Sequence, residues 1–353
     1  MNTLPPFSCT FSASFADILN NLNCSLAITT YQAGKLIFLS ANNEGRVQQL
    51  PRDFKRAMGL AIDKNRLAIA TENEVIVLGN APALAATYAN KPNYYDHFYV
   101  PRTTYYTGAV DLHDMAWDKQ GRLCAVNTLF SSLVYINDQY SFEPFWTPPF
   151  IDQFASEDYC HLNGMAMKDG APKYVSMFGA TNTAKGWRPQ VQTGGLIMDV
   201  ETNAIVASGL AMPHSPRWIN GALYCLLSAT GELIKIDTAT GNYEVITKHN
   251  GFVRGLAVYG DYLFVGLSKN REKASVKRNL PVGTTTMQCG VDIVHLPTAT
   301  IVASAYYQNS AEEIYDVQII PDTKCPGVLN HTAATHRNAL HTPMVCFWAA
   351  EKN

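Results

Sequence analysis

The chain has 353 residues, 47% of them hydrophobic and 16% charged, with a formal net charge of −2. That is enough apolar material for a large core, while the near-neutral balance leaves no electrostatic footprint for nucleic acid or an anionic membrane. No apolar run approaches the ~18 residues that a membrane span needs, and residues 1–22 lack the basic start and clean apolar stretch of a signal peptide, so the sequence reads as cytoplasmic.

In chain order, residues 1–22 form an N-terminal segment with one short amphipathic helix over 10–22. After it the chain alternates in strand-length pieces. Residues 25–31 and 35–40 read as a hairpin across Gln32-Ala33-Gly34, with a third strand at 46–50. From Arg56 onward one unit recurs: a polar opening residue, a short apolar run, a tight turn and a second apolar run. Arg56, His113, His161, His214, Arg254 and Glu313 open these units, at spacings of 57, 48, 53, 40 and 59 residues. The fullest unit predicts four strands, at 253–259, 262–267, 290–296 and 301–307.

Four-stranded units repeating every ~40 to 50 residues describe an all-β fold, the β-propeller. The count predicts six blades over residues 23–325, with seven as the alternative, and a ring closed where the Glu313 strand joins the N-terminal strands. Residues 326–353 are then a C-terminal tail with room for one final strand, and His331, His336 and His341 fall in it. The long segments at 89–111, 147–160, 179–193 and 269–289 are expected on the face where the innermost strands begin. The charged run Arg271, Glu272, Lys273, Lys277 and Arg278 lies on one of them, as a solvated loop or a gate. Trp187 and Arg188, with Tyr105 and Tyr106, stand on others, as a wall over the mouth or as packing of the loops onto their own blades.

The eight cysteines lie far apart, at 9, 24, 124, 160, 225, 289, 325 and 346. No pair has the spacing of a zinc or redox site, and they read as reduced residues, mostly of the core.

The openings converge on the mouth of the central channel and define a candidate site. His113, His161 and His214, from successive blades, offer three neutral imidazoles to a transition metal such as zinc, iron, manganese or copper while leaving coordination positions open. Their alternative role is to cap strand starts by hydrogen bonding to neighbouring loops. Arg56 and Arg254 suit a carboxylate or phosphate. Arg217 is a further candidate for substrate contact, but for it a structural role is favoured, stacking on an aromatic or pairing with a loop carboxylate. Asn163 is a further ligand contact, Glu313 the acid or base with Asp316 as rival, and Asp114 a group that orients a ligand or takes part in the chemistry.

The stretches Thr29-Thr30-Tyr31-Gln32-Ala33-Gly34-Lys35-Leu36, Cys160-His161-Leu162-Asn163-Gly164, Met212-Pro213-His214-Ser215-Pro216-Arg217 and Gly251-Phe252-Val253-Arg254-Gly255-Leu256 together resemble an uncharacterised bacterial family, a domain of unknown function with a predicted β-propeller fold. The likeness spans roughly residues 20–325 and implies no activity. Tyr159 stands where that family usually has arginine, so no anion-binding role carries over to that position. More distantly, His161-Leu162-Asn163-Gly164-Met165-Ala166 is similar to strand starts of six-bladed lactonase-like propellers, in architecture alone, because those hold calcium with oxygen ligands and this mouth is rich in histidine.

These observations predict a metal-dependent enzyme acting on an anionic small molecule or peptide, as a lyase, hydrolase or oxygenase. The alternatives are a propeller that binds an anion without chemistry, and a scaffold that engages a protein through its outer strands. Phosphate-loop, dinucleotide and serine-hydrolase motifs are absent from the sequence.

Overall fold

The computed structural model describes residues 4–42, 44–63, 65–269, 280–284 and 286–350. The charged run at Arg271, Glu272, Lys273, Lys277 and Arg278 lies outside them. Six antiparallel sheets, each with four strands of its own, stand in a ring. The innermost strands are Asp316–Pro321, Leu60–Ile62, Leu112–Trp117, Leu162–Lys168, Pro213–Ile219 and Phe252–Tyr259, here the inner strands of blades one to six. Each touches the next and the sixth touches the first, which closes the ring. The protein is therefore a six-bladed β-propeller, and the seven-bladed alternative is set aside.

Blade one shows how the ends are locked. Its outer strands, Cys24–Thr30, Lys35–Ala41 and Val47–Asp53, come from the N-terminal part, and Asp316–Pro321 pairs with Cys24–Thr30 from the other end of the chain. The N-terminal helix is shorter than expected, Ser14–Leu22, because Cys9–Phe11 ahead of it is drawn into pairing with the outer strand Thr300–Tyr307 of blade six. Helix residues Phe15 and Leu19 are buried beside Leu26, Ile293 and Ala305, which joins blades one and six. Beyond the ring, Pro326–Val328 adds a parallel strand to blade two, and a hairpin of Ala339–His341 with Cys346–Trp348 packs Trp348 near Leu84 and Phe98.

The core lies between the blades. Ala166 and Ile197 of blade four interlock with Leu223, Cys225 and Ile234 of blade five, and the other interfaces repeat the pattern. Burying each such large side chain contributes ~1.5–3 kcal/mol, so apolar seams join each blade to the next. All eight cysteines are free thiols, five of them buried.

One long segment falls elsewhere than expected. Residues 89–111 contain the strand His97–Tyr106, the fourth of blade two, and the insertion there is the 81–96 connection carrying the short helix Pro82–Ala85. Strand direction places a third-to-fourth connection at the end opposite the mouth. It covers the tail hairpin instead.

Candidate functional site: the ring at the upper end of the channel

Four inner strands enter the channel through the same irregularity. In blades three to six the pairing with the second strand slips by one residue near its start, between Leu112 and Met115, Leu162 and Gly164, His214 and Arg217, and Val253 and Leu256. A bulge of this kind re-aims the side chain that it carries. Leu112, Leu162, Pro213 and Val253 pair with Asn127, Met177, Leu227 and Leu267. The residues that follow are His113, Asn163, His214 and Arg254, and the same register puts Tyr315 at this level in blade one and Gly59 in blade two. The glycines fit crowding at the axis: a Cβ on Gly59 would lie 3.0 Å from the His113 carbonyl, and one on Gly255, whose φ is +81°, would lie 2.8 Å from the Val317 nitrogen.

This register revises the expected equivalence of the openings. His161, Glu313 and Arg56 stand two or three residues before the ring, and Asn163, not His161, is the counterpart of His113 and His214. The slip is a pairing property, invisible to residue spacing. The approach to the ring is held in unusual backbone: Arg56, Asp111, Asp158, His161, Met212 and Ser215 all have φ between +48° and +58°. Such conformations cost roughly 1–3 kcal/mol each and cluster where function fixes geometry.

The three histidines share one arrangement. The Thr128 hydroxyl donates to the Leu162 carbonyl at 2.6 Å, leaving its oxygen to accept from Nδ1 of His113 at 2.7 Å; the Asp111 carbonyl accepts from the same nitrogen at 3.0 Å. Ser228 does likewise, donating to the Val253 carbonyl at 2.5 Å and accepting from Nδ1 of His214 at 2.6 Å. Nδ1 of His161 donates to the Asp158 carboxylate, 3.1 Å from both oxygens. Acceptors on one side fix the proton on Nδ1 in each ring. Nε2, with its lone pair, is left without a protein partner among the described residues. Burial, then the nearness of His161 and Arg254, push His113 well below the usual histidine range. His214 is lowered in the same sense, by burial and then Arg254. Both are neutral at physiological pH.

The rings do not all meet. His113 and His161 are edge to face with centroids 5.2 Å apart, but Phe178 is stacked on His161 at 4.5 Å and touches His214 at 5.1 Å, between the two. Phe178 occupies in blade four the position that Thr128 and Ser228 occupy in their blades. Trp187 closes over His161 at 4.4 Å, buried, with its indole N–H on the Asp158 carbonyl, so this loop aromatic is part of the wall, while Tyr106 points to solvent. Among the described residues no group of three or more His, Cys, Asp or Glu is placed to hold a metal ion. His113 and His161 are the adjacent pair, and Phe178 separates His161 from His214.

Arg254 packs over the Tyr315 ring at 3.6 Å and donates to Glu313 at 2.6 Å. Tyr315 lies 5.4 Å from His113, and burial raises its hydroxyl well above the usual tyrosine range. Three buried donors at ring level, Asn163 Nδ2, Arg254 Nε and the Tyr315 hydroxyl, have no hydrogen-bond partner among the described residues. Burial also raises the Asp111 carboxyl. Arg56 is half exposed, 3.2 Å from Glu72 and 5.6 Å from the Tyr31 ring. Tyr315, Thr128, Ser228 and Asp158 were not singled out from the sequence. The available signal was a hydroxyl 15 residues after His113 and 14 after His214.

Asp114 and Arg217 lie one level lower. Arg217 donates from Nη1 to Asp114 at 2.7 Å and to the Met165 carbonyl at 3.0 Å, and from Nε to the Leu256 carbonyl at 2.9 Å, so one side chain of blade five ties blades three, four and six together. Asp316 completes this layer by accepting from the Leu60 amide at 2.8 Å. Burial, reinforced by the Asp114 charge and opposed by Arg217, pushes the Asp316 carboxyl up to about 7.

Fold and site together define a six-bladed propeller with a neutral-imidazole and arginine ring at one end of its channel. The chain belongs to the family described as a domain of unknown function (DUF4915), which matches residues 13–329. It is similar to a chain of the crystal structure of a nidogen/laminin complex (TM-score 0.54, 12% identity, 85% of this chain and 99% of that chain covered). It is also similar to a Bacteroides caccae protein of unknown function (TM-score 0.51, 9% identity, 84% and 98% covered). At these identities the likeness is one of fold. No curated protein matches the chain, and among the described residues no helix is long and apolar enough to cross a membrane.

Proposed function

We propose that the ring at the upper end of the channel is where the protein acts on an anionic small molecule or peptide, and that a transition metal held by His113 and His161 completes the site. The observation that carries this reading is the common state of the imidazoles: Nδ1 is committed to a fixed acceptor, and Nε2 keeps its lone pair without a protein partner. Ligating histidines need such outer acceptors to fix tautomer and ring orientation. A bound ion would supply a Lewis acid or an activated water. Arg254, with its unpartnered Nε, and Arg56 at the rim would hold the anion, while His214 accepts a hydrogen bond across Phe178. Glu313, held by Arg254, is the group placed to move a proton.

A second reading rests on the three unpartnered donors. Leaving a buried donor unmade costs ~1–3 kcal/mol, so Asn163, Arg254 and Tyr315 favour a polar occupant even without a metal. Elemental analysis of untagged protein separates the two. The metal reading expects about one transition metal per chain, reduced at least tenfold in His113→Ala and in His161→Ala. Protein that carries no metal and takes up none of zinc, iron, manganese or copper on titration overturns it and leaves anion recognition through Arg254.

A further inference from the structure

The lower half of the channel holds a second site, closed off from the ring by the Asp114–Arg217–Asp316 layer. Two adjoining hollows of about 360 Å³ and about 260 Å³ open there and share Ile62, Arg217, Val258 and Gln318. Their walls are the last residues of the inner strands, including Trp117, Met167 and Trp218. Each indole is already stiffened by a cation, Arg66 at 3.7 Å over Trp117 and Lys168 at 4.3 Å over Trp218. The larger hollow is mainly apolar, and the smaller one sets the two indoles and Met167 beside Asp114, Arg217 and Gln318, so apolar walls meet a few polar groups as in small-molecule sites.

Its inner end is polar in a particular way. Arg217 spends Nε and Nη1 on carbonyls and Asp114, but Nη2 makes one contact, to Asp114 at 3.3 Å, so one of its two hydrogens has no acceptor among the described residues. The buried Trp117 indole N–H also has no partner among the described residues. Both unmet groups are donors. The Arg217 charge is offset by Asp114 beside it, so the site offers hydrogen bonds without a net attraction for anions.

We propose that this lower vestibule binds an uncharged, planar apolar molecule carrying a carbonyl-type oxygen, its rings among Trp117, Trp218, Met167 and Val258 and its oxygen on Arg217. The site is distinct from the upper ring and does not depend on a metal there. A suitable probe is 6-propionyl-2-(dimethylamino)naphthalene, a neutral aromatic ketone whose emission reports its surroundings. The expected result is saturable one-to-one binding with blue-shifted emission and quenching of tryptophan fluorescence. Val258→Trp fills the cavity from a position already 37% exposed and should weaken binding at least tenfold, and Ile319→Lys at the rim gives a second, independent loss. Tyr106→Ala, on an exposed outer strand, should bind as the parent does. Absence of saturable binding, or equal binding by Val258→Trp and Ile319→Lys, overturns the proposal.

Discussion

The two ends of the channel are built from the same six strands and carry opposite chemistry. At the upper end a bulge re-aims one residue per strand in four blades, and the ring that results contains His113, Asn163, His214, Arg254 and Tyr315. At the lower end the inner strands of blades three, five and six pair without a further slip, blade four alone shifting again between Ala166 and Met167, and the wall includes Ile62, Val258 and two indoles. The lesson is that one repeated scaffold yields a polar and an apolar site according to local register alone. Between them lies a charged layer that keeps the two apart.

The firmest way to break this division is to remove the layer. Arg217→Met leaves Asp114 buried without its cation, and losing one partner of a buried pair costs ~3–5 kcal/mol. Urea unfolding should show a loss of that order, partly recovered in the Asp114→Asn/Arg217→Met double variant. A layer that contributes little to joining the blades would show less than half of it.

A smaller effect is expected at the acceptors behind the histidines. Thr128→Val and Ser228→Ala each remove an inter-blade bond together with the acceptor for Nδ1, for ~1–3 kcal/mol of stability. Thr128→Val should also lower metal retention by roughly 10-fold or more, whereas Ser228→Ala should not, because His214 is separated from the His113–His161 pair by Phe178. Equal retention losses would mean that all three histidines act as one set.

Smaller again is a pH effect. The Asp316 carboxyl sits near 3.8 when unfolded and at about 7 in the fold, so the folded state keeps a proton that the unfolded chain gives up. The group's contribution is therefore fully present below the unfolded value and is lost as pH rises through about 7. Asp114 and Arg217 are the charged groups that face it. Asp316→Asn should flatten this slope, so that the variant gains on the parent between pH 5 and pH 7.5 in urea titrations. An unchanged slope would place the titration elsewhere.

The least effect is expected at the rim. Arg56 and Glu72 form a partly exposed pair, and Arg56→Ala should change stability by less than ~1 kcal/mol. Thermal unfolding checks this, and a substrate contact would appear in binding alone.

Much of this protein could be read from its residues, and the reasons are local. Strand positions, tight turns and the ~45-residue repeat are written in apolar alternation and in Asn-Gly and Gly-Asp turns, because a blade is built from contacts between neighbours in sequence. Closure by the strand after Glu313 followed from counting blades. The polar openings His113, His214 and Arg254 were visible as breaks in that alternation. What the sequence could not order was register. His161 stands before the ring and Asn163 in it because pairing register, with a one-residue slip in blade four, decides which side chain faces the axis, and Tyr315 reaches the same level by the regular pairing of blade one. Phe178 and Trp187 come beside His161 from separate loops. The Arg217 pairing with Asp114 spans 103 residues and three blades. The sequence by itself determined the propeller and most of its polar residues. The tertiary structure alone decided which of them share a level, which are bound to each other, and that the channel is divided in two, because those relations arise only when six strands distant in sequence converge on one axis.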